Sequence, residues 1–295
     1  MTVAELDARD ARFRFDFNSL AIPEDVLQPI RRDLYHSQGH GYHVFRNFLD
    51  PRIAAHMQRF WSELELTHVH EPLPAEGVKM LFNGCPDYYY GTQHGDHRGY
   101  LNFFWNHPAD EVSYAVAMQV QWLRNRVMGR TPQDDIFPLH GRSVSYRTVI
   151  SKRGKVVTPT HRDFAADEWI REPWRLQATL FLSAPGVDFT GDGFILETNR
   201  GDHVMFGRDV PIANGDLVLW RYCNEHSVLN VESADDQCGF IRMLFPVEEV
   251  PNRQRPPLRH ASWPEMRVQI LERLKATPLG QRVLVPIWHR IRRRR

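Results

Sequence analysis

The segment Asp192–Thr198, DGFILET, followed after a polar turn by Asp202–Phe206, DHVMF, decides the fold class. Both are short apolar runs bounded by Gly, Asp or Asn, a pattern typical of antiparallel strands. Six further runs of this kind are RSVSYRTVI (142–150), KVVTPT (155–160), RLQATLFLS (175–183), DLVLWRY (216–222), SVLNV (227–231) and GFIRMLF (239–245). Eight short strands separated by turn residues indicate a sandwich or jelly roll and not a parallel α/β sheet.

The sequence before residue 141 is mainly helical in pattern. Helical spacing of apolar residues favours a helix in 23–39, and Asp50-Pro51 reads as an N-cap with proline at the first helical position. Another helix is predicted from 110 to Gly129. Helices followed by antiparallel strands make the class α+β, with residues 1–140 as a helical part of the same domain and 141–250 as the jelly-roll core. Residues 251–295 are expected to form a last helix and a basic tail.

The composition of the 295 residues is that of an ordinary globular protein, with 42% apolar and 25% charged residues. The net charge of +1 gives no reason to expect a nucleic-acid partner. Three scattered cysteines indicate a reducing compartment. There is no secretion-signal pattern at the start and no apolar run of about 18 residues, so we expect a cytoplasmic location.

The segment Thr158–Phe164, TPTHRDF, contains a His-x-Asp pair that has two interpretations. His-Arg-Asp is also a protein-kinase tripeptide, but a kinase loop requires Asn where this chain has Glu168, and no glycine-rich phosphate loop accompanies it. In an extended segment, alternate residues point the same way, so His161 and Asp163 can direct an imidazole and a carboxylate at one metal ion. They are two members of the 2-His-1-carboxylate triad that holds Fe(II), unless they form a simple polar pair at a strand end.

A third ligand and an anion-binding residue are suggested farther along the chain. His226 starts a strand run and is the candidate third ligand. Arg242 lies in the apolar run Gly239–Phe245, and a buried guanidinium there needs an anionic partner. That partner is either the carboxylate of a ligand or an internal carboxylate such as Glu197.

The order His161-x-Asp163, His226, Arg242 resembles the Fe(II)/2-oxoglutarate-dependent oxygenases. Residues 41–61, GYHVFRNFLDPRIAAHMQRFW, are similar to the opening of the phytanoyl-CoA-hydroxylase-like branch, and residues 191–206 and 212–226 are similar to its mid-barrel strands. The resemblance implies a double-stranded β-helix (jelly roll) with N-terminal helices packed on it, and it implies Fe(II), 2-oxoglutarate and O2 as cofactors.

The resemblance also implies roles for individual residues. Its metal ligands would be His161, Asp163 and His226, and Arg242 would anchor the co-substrate carboxylate. Tyr146 and Gln177 lie on strands expected to line the same barrel, where each could hydrogen-bond the co-substrate or simply belong to the core. The aromatic residues expected to shape a substrate pocket are Phe164, Trp169 and Trp220.

The sequence contains other histidines that could form polar or metal-binding groups. A second His-x-Asp, His94-Gly-Asp96, precedes His97 in a glycine-rich stretch, and we interpret it as an exposed polar loop. His36, His40 and His43 flank glycines, for which solvated or locally hydrogen-bonded roles are expected. His68 and His70 could form a surface metal pair, but nothing downstream supports one.

The expected activity is hydroxylation of a small molecule, natural-product or lipid-like in character. Asp at position 163 leaves no vacated ligand site for a halide, which disfavours halogenation. Two alternatives stay open: a non-catalytic cupin-like binding module, and an iron oxygenase that desaturates, cyclises or epimerises. The C-terminal stretch GQRVLVPIWHRIRRRR could contact anionic lipid, but a plainly solvated terminus is the favoured interpretation.

Overall fold

A computed structural model describes residues 22–68, 78–82, 85–94, 97–102, 110–136, 142–163, 174–235 and 239–249. The last helix and basic tail expected in 251–295 lie outside these residues. No helix among the described residues is long and apolar enough to cross a membrane.

Three helices form where the sequence predicts them, and capping residues explain both ends of the third. They are α1 (Glu24–Tyr35), α2 (Pro51–His68) and α3 (Glu111–Met128). The Asp110 side chain caps α3 by accepting a hydrogen bond from the backbone N–H of Ser113 at 2.7 Å. Gly129 ends α3 in the left-handed conformation at φ 71°, which glycine adopts without steric cost.

The described residues contain fourteen strands, and all eight predicted runs are among them. The run 142–150 is divided at Ser145 into two strands. The strands are β1 (Tyr42–Phe45), β2 (Val78–Phe82), β3 (Cys85–His94), β4 (His97–Asn102), β5 (Arg142–Val144), β6 (Tyr146–Ser151), β7 (Arg153–His161), β8 (Leu176–Phe181), β9 (Phe189–Glu197), β10 (His203–Met205), β11 (Leu217–Arg221), β12 (His226–Ser233), β13 (Phe240–Leu244) and β14 (Val247–Glu249).

These strands form two main antiparallel sheets. The large sheet has the order β1-β11-β8-β13-β6-β4-β3-β2, and the small sheet has the order β10-β9-β12-β7. Strands β14 and β5 form a separate pair. Neighbouring strands that are far apart in sequence, such as β11 and β8 or β12 and β7, give the crossed connections of a jelly roll and confirm the predicted fold class.

Alternation along the strands of the large sheet creates two separate cores. Side chains on one face of the sheet, such as those of Ala178 and Leu219, pack with the helices in the first core. Side chains on the opposite face, such as those of Phe181 and Trp220, point toward the small sheet and pack with its Phe194 in the second core. A side chain from β6, β8, β11 or β13 can therefore reach the space between the sheets only if it lies on the face toward the small sheet.

The first half of the chain contributes three strands that were not predicted from its sequence, β2, β3 and β4. Strands β2, β3 and β4 join the large sheet through β6, and β1 joins it at the opposite edge. The second His-x-Asp motif consequently lies on a β3–β4 hairpin, in which His94 pairs with His97. The interpretation of this stretch as a loop is corrected for 85–94 and 97–102, which are strands.

Candidate metal centre

His161, Asp163 and His226 come together at one end of the small sheet. The Nε2 atom of His161 lies 3.3 Å from Oδ1 of Asp163, and the Nε2 atom of His226 lies 3.5 Å from the same oxygen. The potential ligand atoms of the three residues all lie within 4.8 Å of one another. Among the residues that the structure describes, this is the one group of three or more His, Cys, Asp or Glu side chains arranged in this way.

The pairing of β7 with β12 explains how two residues 65 positions apart face each other. His226 is the register partner of His161, and their ring centroids are 4.2 Å apart. Farther along, Val228 pairs with Thr158, so a regular ladder would place Thr160 opposite His226. A register shift between His226 and Val228 places His161 there instead. Because one residue of slip reverses the face of a strand, this bulge turns both Thr158 and His161 inward.

Hydrogen bonds select the ring nitrogen that each histidine offers to the centre. Nδ1 of His161 lies 2.8 Å from the carbonyl oxygen of Pro159, and Nδ1 of His226 lies 3.5 Å from that of Asn224. A carbonyl can only accept, so Nδ1 carries the proton in both neutral rings and Nε2 presents a lone pair. Second-sphere contacts of this type are those that orient metal-binding histidines. In the neutral rings both Nε2 lone pairs face the same carboxylate oxygen, an arrangement that suits a shared metal ion.

Burial and charge set the protonation of the three residues. Desolvation lowers the pKa of His226 to about 4, which keeps this ring neutral. The hydrogen bond to Asp163 raises the pKa of His161, and burial opposes that effect. Burial by itself raises the pKa of Asp163, but the His161 hydrogen bond and the nearby imidazoles outweigh it, so the net shift is downward. The carboxylate is therefore anionic at neutral pH, as a metal ligand must be.

Contacts around the ligands hold the centre in place. The amide nitrogen Nε2 of Gln177 donates to Oδ2 of Asp163 at 3.5 Å. The indole ring of Trp220 packs against His226, with centroids 4.5 Å apart, and its Nε1 donates to Thr179 at 3.0 Å. The exposed side-chain fractions are 40% for His161 and 8% for His226, so the centre opens on the His161 side.

Arg162, between the two ligands of the His-x-Asp motif, points away from the centre and fixes it from outside. Its Nη2 lies 3.1 Å from Oε2 of Glu197 and 3.3 Å from Oε1 of Glu225. Glu225 directly precedes His226 in the sequence. One guanidinium therefore ties the His161-Asp163 segment to both β9 and the start of β12.

Arg242 extends from β13 into the space between the sheets. Its side chain is buried, and its Nη2 donates to Oγ1 of Thr158 at 3.3 Å while its Nε has no hydrogen-bond partner. Among the described residues no carboxylate lies within ion-pair distance of it, and Glu197 pairs with Arg162 instead. Desolvation lowers the pKa of Arg242 to about 10, Asp163 opposes that shift and Arg147 adds to it. A buried guanidinium in this state has an unmet requirement for an anion.

The remaining candidate residues are distributed differently. The side chain of Gln177 points toward the small sheet and reaches Asp163, as described above. Tyr146 lies on the opposite face of the large sheet. It packs in the core with the helices, with its ring 6.0 Å from that of Trp61. The expectation that it lines the barrel with Arg242 is corrected for this reason. Phe164 and Trp169 lie outside the described residues, and Trp220 is fully buried behind His226.

Two residues of this site were not identified from the sequence, Thr158 and Arg162. Thr158 is a register partner of Val228 and faces inward only because of the bulge. No role is predicted for Arg162 from the sequence. The available signal for an ion pair with Arg162 was the presence of two acidic residues at strand ends, Glu197 at the end of β9 and Glu225 before His226.

The histidines near the glycines Gly39 and Gly41 have local contacts. Nδ1 of His43 lies 2.9 Å from Asp33, and Nδ1 of His36 accepts a hydrogen bond from the backbone of Gln38 at 3.1 Å. The ring of His40 lies 5.4 Å from that of Tyr42. The side chains of His68, His70, His94, Asp96 and His97 lie outside the described part.

Comparison with known proteins gives a likeness in solved structures alone. No family model and no curated protein matches this chain. A Pseudomonas putida prolyl-4-hydroxylase is 17% identical with a TM-score of 0.44, the match covering 77% of this chain and 99% of that one. The non-heme α-ketoglutarate-dependent epimerase SnoN from nogalamycin biosynthesis is 12% identical with a TM-score of 0.46, covering 77% and 84%. AviO1 from Streptomyces viridochromogenes is 13% identical with a TM-score of 0.46, covering 78% and 96%. Identities and TM-scores this low do not assign a family or an activity. The proposal of a function therefore depends on the site itself.

Proposed function

We propose that this protein is a mononuclear Fe(II)- and 2-oxoglutarate-dependent oxygenase that hydroxylates a small molecule. The observation that carries the proposal is the convergence of His161, Asp163 and His226 beside the buried, carboxylate-free guanidinium of Arg242. Within this class we propose the phytanoyl-CoA-hydroxylase-like branch, on the resemblance of residues 41–61, 191–206 and 212–226 to its segments.

The donor set fits Fe(II). Two imidazole nitrogens and one carboxylate form the facial triad typical of non-heme iron oxygenases, which leaves positions open for co-substrate and oxygen. The Nδ1 hydrogen bonds of both histidines already fix the tautomer that such binding requires. Bound iron and 2-oxoglutarate would supply the oxidising power, and the protein residues would bind, orient and shield the reactants.

The co-substrate would lie between the metal ligands and Arg242. A guanidinium binds a carboxylate through parallel hydrogen bonds, and the unpartnered Nε of Arg242 offers one of the donors. The hydroxyl of Thr158, already 3.3 Å from Arg242, could donate to the same carboxylate. Gln177, hydrogen-bonded to Asp163, is placed to contact the other end of the co-substrate or the carboxylate ligand itself.

The interior next to the metal ligands is suited to exclude water. The ring of Phe194 lies 6.0 Å from that of His226 and 5.7 Å from that of Trp220. Phe181 extends the same apolar cluster, with its ring 6.3 Å from Phe194. A dry wall behind the ligands strengthens the electrostatic interactions of the site and limits side reactions.

The test is turnover of 2-oxoglutarate to succinate, measured with Fe(II) and O2 for wild type, His161→Ala and Asp163→Ala. We expect both variants to lose about two orders of magnitude or more, because loss of one ligand removes the metal geometry. His203→Ala, an exposed histidine on the same small sheet, is the matched control and should retain wild-type turnover. Equal turnover in wild type and both ligand variants would contradict the proposal.

Anaerobic addition of Fe(II) and 2-oxoglutarate separates the oxygenase from a cupin-like binding module. The oxygenase should show a weak visible charge-transfer band that disappears in His226→Ala, whereas a redox-inactive module should show none. Hydroxylation, desaturation, cyclisation and epimerisation share the same ligand set, so mass analysis of the product distinguishes among them.

A further inference from the structure

The side-chain amide of Gln177 has only one orientation that suits its neighbours. Its Oε1 accepts hydrogen bonds from the backbone N–H of Ala178 at 3.1 Å and from Nη1 of Arg124 at 3.4 Å. Both of these neighbours are donors, so a flipped amide would place its NH2 group against two N–H groups. The NH2 group therefore faces the other way, where Nε2 donates to Oδ2 of Asp163 at 3.5 Å.

Arg124 lies on α3 and is buried, with neutral acceptors around its guanidinium. Nη1 donates to the carbonyl oxygens of Phe245 at 2.7 Å and Leu176 at 3.4 Å. Nη2 donates to the side-chain oxygen of Gln121. Burial lowers the pKa of Arg124 to about 9, so the group is still a cation at neutral pH. The guanidinium cannot turn away from Gln177 without depriving buried carbonyls of a donor.

The point at which β8 and β13 separate explains why a helix residue takes this place. The ladder between the two strands ends at Leu244. In the same register, Pro246 would next come opposite Gln177, and proline has no backbone N–H to donate. The strand carbonyls just beyond this point are those to which Arg124 donates. The guanidinium therefore takes over the donors that the ladder lacks, and this fixes it beside the Gln177 amide.

The two carboxylate oxygens of Asp163 have different neighbours. Oδ1 lies 3.3 Å from Nε2 of His161 and 3.5 Å from Nε2 of His226, whereas Oδ2 accepts from Gln177. A carboxylate held in this way offers one oxygen to a metal ion shared with the two imidazoles, while the amide engages the other oxygen. Binding through a single oxygen keeps coordination positions open for other ligands.

We propose that Arg124 and Gln177 are positioning residues of the metal centre. Arg124 orients the Gln177 amide, and the amide holds Oδ2 of Asp163 so that Oδ1 alone is presented to the metal. The inference rests on the proposed function and deepens it, because it assigns Gln177 to the carboxylate ligand and adds a residue from α3. A cation behind Oε1 strengthens the Nε2–H group as a donor, since hydrogen bonds in a chain polarise one another.

The first experiment measures Co(II) binding by visible absorption and does not depend on turnover. Gln177→Met keeps the approximate length of the side chain but removes the amide, so we expect the Co(II) dissociation constant to rise about tenfold. The Co(II) absorption bands should also change, because Oδ2 of Asp163 is released and can bind the metal. Gln28→Met, at an exposed glutamine on α1, is the control and should bind Co(II) like wild type.

A double-mutant cycle tests whether Arg124 acts through Gln177. Arg124→Lys keeps the charge but loses the planar fork, so we expect it to raise the Co(II) dissociation constant about threefold in the wild-type background. It should have no further effect in Gln177→Met, because the amide that it orients is then missing. A purely structural role of Arg124 would weaken Co(II) equally in both backgrounds.

Equal losses in both backgrounds, no loss from Arg124→Lys in the wild-type background, or wild-type Co(II) affinity in Gln177→Met would overturn the positioning role. The Co(II) measurements require no co-substrate, so they are independent of 2-oxoglutarate. Failure of the Co(II)-loaded wild type to bind 2-oxoglutarate would overturn the proposed function and leave the cycle to decide the positioning role. Unchanged Co(II) binding in His161→Ala would overturn both.

Discussion

At the residue scale, the charge of Arg242 makes the most specific demand on function. The residue lies in an apolar strand between two sheets, donates to Thr158, and has no carboxylate partner among the described residues. Its position was predictable because a guanidinium among Phe240, Ile241, Met243 and Leu244 cannot be solvated from either face of a buried strand. What the residue binds is the part that needs measurement.

Replacing Arg242 tests its role as the co-substrate anchor. We expect Arg242→Gln to raise the KM for 2-oxoglutarate by about 30-fold or more, corresponding to roughly 2 kcal/mol or more for one lost charged partner. The KM is measured by succinate formation, with Arg153→Gln as the exposed-arginine control. An unchanged KM would place the anchor elsewhere.

Thr158 offers a finer test of the same site. Thr158→Val keeps the shape but removes the hydroxyl next to Arg242, so we expect the KM for 2-oxoglutarate to rise about fivefold, the equivalent of about 1 kcal/mol. Thr158→Ser keeps the hydroxyl and should stay close to wild type. If valine and serine behave alike, the hydroxyl makes no contact with the co-substrate.

The residues that sequence reasoning misplaced show why a face is hard to assign in a buried strand. Tyr146 and Arg147 are neighbours on β6, and both faces of that strand are covered, so alternation of polarity does not reveal which residue points inward. The register with β13 resolves it, because Arg147 pairs with Leu244 and so shares the inward side with Arg242. Thr158 was missed because a bulge in β7 has no signal in the residues themselves.

At the scale of elements, the junction between β7, β9 and β12 positions the metal ligands. Arg162 connects the three strands through Glu197 and Glu225. Each of these pairs is partly exposed and contributes at most about 1 kcal/mol, but both act on the geometry of adjacent metal ligands. Arg162 is therefore a positioning residue.

Removing this connection should affect the metal more than the co-substrate. We expect Arg162→Leu to raise the dissociation constant for Co(II) about three- to tenfold. At saturating metal, the KM of the variant for 2-oxoglutarate should be close to that of wild type. Spectroscopic titration with Co(II) checks this expectation. Arg208→Leu, which removes an exposed pair with Asp209, is the control, and equal Co(II) affinity in both variants would contradict the positioning role.

The predicted elements were most accurate where the local pattern was strong. All eight strand runs after residue 141 and the helix ending at Gly129 are present. Strands β3 and β4 were missed because their sequences contain glycine, proline or histidine in place of a regular alternation, and β2, VKMLF, is only five residues long. The aromatic run Tyr88–Tyr90 was the available strand signal there.

At the scale of the whole molecule, a bound metal would link the segment after β7 to the start of β12. Binding to the folded state alone stabilises it by about 2.7 kcal/mol at a metal concentration of 100 times Kd. For a domain of this size we expect Zn(II) to raise Tm by roughly 5–10 °C and a chelator to reverse the rise. His161→Ala should abolish the shift while His203→Ala keeps it, and a shift that persists in His161→Ala would indicate binding elsewhere.

The overall architecture could be predicted as two sheets with helices on one face, because strand number and turn residues restrict the possible layers. The convergence of the metal ligands could not be derived in the same way. It depends on the register between β7 and β12, which brings His161 opposite His226, and register is set by packing across the whole small sheet. The resemblance supplied a ligand set that the local pattern left open.

The most direct test of the account is a crystal structure of the protein prepared anaerobically with Fe(II) and 2-oxoglutarate. We expect one metal ion bound by Nε2 of His161, a carboxylate oxygen of Asp163 and Nε2 of His226. The far carboxylate of 2-oxoglutarate should contact the guanidinium of Arg242. Metal bound by other residues, such as His94 and His97, or a 2-oxoglutarate molecule away from Arg242, would contradict the account.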